Sequence, residues 1–140
     1  MKVGAYDGAA DVSQVIAAID WVVQHRADPG FNIRVINLSF GTDSAQPALL
    51  DPLAQAAEVA WRSGIVVVAA AGNDGLAAPT LANPAYNPTI LAVGASDTRG
   101  TVDTYDDSIP TFAQHGNAER PVDVVAPGVS ITSLRVPGSF

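Results

Sequence analysis

Two short apolar runs, Ile33-Arg-Val-Ile-Asn-Leu38 and Ile65-Val-Val-Val-Ala-Ala70, constrain this chain more than any other feature. Each is rich in β-branched residues, too short for a core helix and nearly continuous in its apolar character, so each reads as a strand buried on both faces. Between them Asp51-Pro52 supplies an N-cap followed by proline at the first helical position, Leu53, Ala56, Ala57, Ala60 and Trp61 repeat at helical spacing, and Gly64 closes the helix. Ahead of them Asp11 caps a second periodic segment, Val12, Val15, Ile16, Ile19, Val22 and Val23, which the spacing predicts as a helix to about Arg26, stopped by Asp28-Pro29-Gly30. Helix, strand, helix, strand with tight connections is the pattern of a parallel sheet with right-handed crossovers.

Downstream, Ala78-Pro79, Asn83-Pro84 and Asn87-Pro88 punctuate a loop, and then Thr89–Gly94 and Val122–Val125 read as two further buried strands. Ser130–Leu134 reads as a short last strand before Pro137-Gly138. No internal repeat or linker interrupts residues 1–140, which are read as one domain. A hydrophobic fraction of 48% against 15% charged exceeds ordinary globular usage, and that excess must be covered by helices on both sheet faces or by a partner.

Other classes are excluded by charge and pattern. A net charge of -7 with scattered Lys and Arg offers no surface for nucleic acid. No apolar run approaches the roughly 20 residues that span a bilayer, so no membrane partner is expected. The chain has no Cys, which removes thiolate metal sites and disulfides but leaves the compartment open. Nothing in the pattern calls for a cofactor.

The chemistry lies at the end of the second strand, where the chain enters Gly72-Asn73-Asp74. An Asn after Gly is often just a left-handed turn residue, yet held over a cleft its carboxamide is a hydrogen-bond donor for a developing oxyanion. Together, Val35-Ile-Asn-Leu-Ser-Phe-Gly41, Val66-Val-Val-Ala-Ala-Ala-Gly-Asn73, Asn83-Pro-Ala-Tyr86 with Ile90-Leu-Ala-Val-Gly-Ala95, Phe112-Ala-Gln-His-Gly116 and Asp123-Val-Val-Ala-Pro-Gly128 resemble the successive blocks of a subtilisin-like serine peptidase. The blocks cover nearly the whole chain in order. The resemblance implies an α/β fold, three-layer and doubly wound around a mainly parallel sheet, here incomplete. It assigns Asn73 the oxyanion role. It also makes Ser39, Phe40 and Gly41 the strand exit that pairs with an extended substrate, and Ala70, Ala71 and Gly72 the opposite wall of the slot for the substrate's P1 side chain. Asp74, at the mouth of that slot, would favour a cationic P1 group. Tyr86 to Ile90 matches a loop that carries a weak cation site in some relatives; no acidic cluster supports it here, and no metal is expected.

The family's Asp-Ser/Thr-Gly, His-Gly-Thr/Ser-His and Gly-Thr-Ser motifs do not occur in these residues. The resemblance therefore describes the middle segment of a catalytic domain without its Asp/His/Ser triad, which implies little independent turnover. Two other readings stand beside it. One is a small hydrolase acting on peptides or esters through Ser39 as nucleophile and His115 as base with a nearby Asp; the other is a non-catalytic module that binds extended peptides at Ser39–Gly41. The apolar excess with cover missing points to a homo-oligomer, a dimer by preference. Members of the family are commonly secreted, but no signal peptide marks this chain.

Overall fold

The computed structural model describes residues 2–5, 9–44 and 46–133. Helix α1 spans Val12–His25, strand β1 Val35–Leu38, helix α2 Pro52–Arg62, β2 Val66–Ala70, β3 Leu91–Ser96 and β4 Val124–Pro127. The strands form one fully parallel sheet in the order β1-β2-β3-β4. Each strand lies beside the one before it, so right-handed crossovers must all pass over the same face.

That face holds the core. Asp11 caps α1 by accepting the Ser13 N–H, and α1 turns Val15 and Ile19 inward. The Asp51 carboxylate accepts the N–H groups of Leu53 and Ala54 at the start of α2, which buries Leu53, Ala54, Ala57 and Ala60 and leaves Trp61 part exposed. The alanines let α2 approach β2 closely over Val67 and Ala69, and Ala92 of β3 with Leu81, Ala85 and Ile90 from the β2–β3 connection completes the cluster.

The opposite face is bare among the described residues. Parallel register places Val35 beside Val66, Val68 beside Leu91 and Val93 beside Val124. Val35, Val66 and Val124 are 56%, 43% and 47% exposed, against complete burial of Val67. Of the three layers expected, the described residues build the sheet and one helical layer. The strands expected to be buried on both faces are therefore buried on one, and β4 is exposed along its whole length. No strand forms at residues 130–133; Leu134, Pro137 and Gly138 lie outside the described residues.

Candidate active site

Open parallel sheets bind ligands beyond the carboxyl ends of their strands. Here β1 ends at Leu38 and β2 at Ala70, and the two exits frame a cleft of about 630 Å³ lined by Ser39, Phe40 and Gly41 on one side and Ala70 through Asp74 on the other. The resemblance assigns these two groups of residues to facing walls, and both line one cavity. The ladder ends at Leu38–Ala69, and no hydrogen bond outside it engages the backbone of Phe40 or Gly41 among the described residues. This leaves an extended edge free beside the cleft.

Small residues are required on both walls. A Cβ on Gly41 would stand 3.1 Å from the Ala82 Cβ, and one on Gly72, whose φ is +115°, would overlap the Gln114 carboxamide. Asn73 is exposed and lines the cleft, and its own carboxamide makes no hydrogen bond to the described residues. The donor is thus uncommitted. Asp43 and Asp74 also line the cleft, and the described lining residues include no Lys, Arg or His, so the described wall carries negative charge.

A second cavity of about 1010 Å³ adjoins the first through Thr42, Asp43, Asp74, Ala82 and Gln114. Its wall is held from beneath by Asp51. The Asp51 carboxylate accepts from Ser44 Oγ at 2.6 Å and Asn83 Nδ2 at 3.1 Å while capping α2. Asn83 in turn donates to Thr42 Oγ1 and exchanges both backbone hydrogen bonds with Thr42. Burial acts to raise the Asp51 carboxyl, but the donors Ser44, Ala54, Asn83 and Leu53 outweigh it and hold the group below its ordinary value.

The residues of the Ser39/His115 pair stand apart in their contacts. Ser39 Oγ accepts from Asn37 Nδ2 at 3.0 Å. His115 is exposed, does not line the cleft, and its ring makes no hydrogen bond to the described residues. His25, on α1, stacks on Trp21 with ring centroids 4.3 Å apart and takes no part in the cleft. In the Tyr86–Ile90 region the Ala85 and Ile90 carbonyls accept from the Arg120 guanidinium, which also pairs with Asp123 at 3.0 Å.

Two contributors escape a reading of the sequence. Ala82 packs against Gly41 from a loop that has no periodic pattern, and Gln114 reaches the Gly72–Asp74 turn across 40 residues of chain. Only the position of Gln114 within the Phe112–Gly116 block could have marked it.

A parallel α/β sheet whose adjoining strand exits open on one cleft is the fold of the subtilisin-like class. The chain belongs to the subtilase family, whose profile matches residues 1–139. It is 36% identical to the serine protease AprX of Bacillus subtilis (strain 168), over all of this chain and 33% of that protein. It is likewise 36% identical to subtilisin DY of Bacillus licheniformis, over 95% of this chain and 42% of the relative. The solved structure of sphericase superposes with a TM-score of 0.78 at 24% identity, covering 99% of this chain and 45% of that one, which attests the shared fold. The chain thus spans less than half the length of these relatives.

Proposed function

We propose that this chain is the cleft-bearing segment of a subtilisin-like serine endopeptidase. It supplies the substrate-binding edge at Ser39–Gly41, the walls of the P1 slot and the oxyanion donor Asn73, and it has no peptidase turnover on its own. The free Asn73 carboxamide over the cleft carries this reading. An extended peptide lies along Phe40 and Gly41, its P1 side chain enters between Gly41 and Ala70–Gly72, and its scissile carbonyl comes under the Asn73 amide. The amide stabilises negative charge on that oxygen. It supplies neither a nucleophile nor a proton acceptor, and those groups would come from sequence beyond these residues. The carboxylates of Asp43 and Asp74 favour Lys or Arg at P1, by a modest margin at an exposed mouth.

Titration of the ¹⁵N-labelled chain with an extended peptide bearing P1 Lys tests the reading. Expected are saturable shifts at Phe40, Gly41, Gly72 and the Asn73 side chain, weaker with P1 Glu, and no labelling by a fluorophosphonate probe. Shifts confined to other surfaces would contradict the cleft assignment, and labelling abolished by Ser39→Ala would show an autonomous hydrolase.

The bare valine face supports a further part of the proposal, that the isolated chain self-associates as a dimer with a second copy covering Val35, Val66 and Val124. Sedimentation coefficients are expected to rise with concentration, and Val66→Lys to hold the chain monomeric. A single monomeric species across a hundredfold concentration range would dismiss the dimer.

A further inference from the structure

The two peptide units that flank Asn73 are both fastened to one residue, Gln114, one through its backbone and one through its side chain. Gln114 donates its backbone N–H to the Gly72 carbonyl at 3.2 Å, and its Oε1 accepts the Asp74 N–H at 3.3 Å. The other end of the same carboxamide donates through Nε2 to the Thr80 carbonyl at 2.9 Å. These partners fix the amide's orientation, since a flip would set NH₂ against an N–H and oxygen against oxygen. Gln114 is only 5% exposed, so its polar atoms are largely withdrawn from solvent. The carboxamide also fills the space above Gly72 that any side chain at that position would claim. The next turn is tied to the same loop, with Gly75 N–H donating to the Phe112 carbonyl at 2.8 Å.

Asn73 itself has no such tether. Its side chain makes no hydrogen bond to the described residues, so the two peptide planes beside it set where the carboxamide is anchored and the region it can reach. We infer that Gln114 is a positioning residue for the oxyanion donor: it aims the Asn73 carboxamide into the cleft by clamping Gly72 and Asp74, without touching substrate. This inference rests on the proposed role of Asn73 and adds to it the group that sets its geometry. A donor is useful only where the charge develops, and small displacements of a preorganised group cost much of its effect.

The test uses two peptides of the same sequence, one ending in a free carboxylate at P1 and one in a carboxamide, because only the carboxylate brings an anionic oxygen beneath the Asn73 amide. Gln114→Met keeps approximately the volume and removes both side-chain hydrogen bonds; Gln114→Ala removes the volume as well. Two readouts separate aiming from mere folding: the Asn73 side-chain amide resonances, and the ratio of the two peptide affinities. In the wild-type chain the carboxylate peptide should bind better and shift the Asn73 amide. In Gln114→Met the resonances should broaden and the preference should fall about tenfold, the worth of one charge-assisted hydrogen bond, while amide shifts in α1, α2 and the sheet stay native. Retention of the preference and of sharp Asn73 resonances in Gln114→Met, with wild type behaving as expected, would overturn the positioning role and leave the cleft assignment standing. Absence of any preference in the wild-type chain would instead sink the assignment of Asn73, and this inference with it.

Discussion

Gly72→Ala is expected to destabilise the chain by about 3 kcal/mol or more. The backbone there has φ +115°, where a Cβ is strained by roughly 1–3 kcal/mol, and the added methyl would overlap the buried Gln114 carboxamide. Displacing Gln114 leaves the Asp74 N–H and the Thr80 carbonyl without their partner, at about 1–3 kcal/mol for each group that stays buried. Urea denaturation of the single variant and of Gly72→Ala/Gln114→Ala checks both parts. The steric part should be relieved in the double variant, giving a favourable coupling between the two sites, while the backbone strain remains. Strictly additive losses would mean that the methyl and the carboxamide do not compete for the same space.

Asp51→Ala should rank next, at about 2–4 kcal/mol. The loss combines an N-cap, worth about 0.5–2 kcal/mol, with the orphaning of Ser44 Oγ and the Asn83 amide in a buried setting. The same carboxylate gives stability a pH dependence whose sign follows from its depressed folded value. Its contribution is present above the ordinary unfolded carboxyl value of about 4 and is lost as pH falls through the folded value. Melting temperatures of the wild-type chain should therefore decline as the solution is acidified below about pH 4, and Asp51→Asn should start lower and decline less. Parallel declines in the two proteins would assign the acid sensitivity to other groups. Because Asp51 holds Asn83 and Ser44, and Asn83 holds Thr42, the Asp51 variants should also weaken peptide binding.

The fold was legible in the sequence wherever a local device sufficed. Asp51-Pro52 and Asp11 announced the two helices, and the β-branched runs announced β1 and β2, because capping and periodicity act within a few residues. The register of the later strands was less legible. The run 89–94 became a strand at Leu91–Ser96, since pairing with Val68–Ala70 on one side and Val124–Pro127 on the other selects the residues that enter the ladder. No strand formed at residues 130–133, where Ile131 is the one apolar residue of the four.

The candidate site divides the same way. Gly41, Gly72 and Asn73 stand at strand ends, where sequence order alone brings parallel strands side by side. Ala82 and Gln114 reach the cleft from irregular loops, and a contact between loops distant in sequence leaves no periodic trace. The pairing of Ser39 with His115 rested on residue type alone, without a geometric rule to join them. In the structure the Ser39 Oγ accepts from Asn37, and His115 does not line the cleft.

The role of the Asn73 carboxamide is tested most directly by comparing, in the wild-type chain and in Asn73→Ala, the affinities for a P1-carboxylate peptide and its amide counterpart. The wild-type chain is expected to prefer the carboxylate and Asn73→Ala to lose that preference by about tenfold or more, with an unchanged melting temperature and unchanged affinity for the amide peptide. An identical preference in both proteins would contradict it.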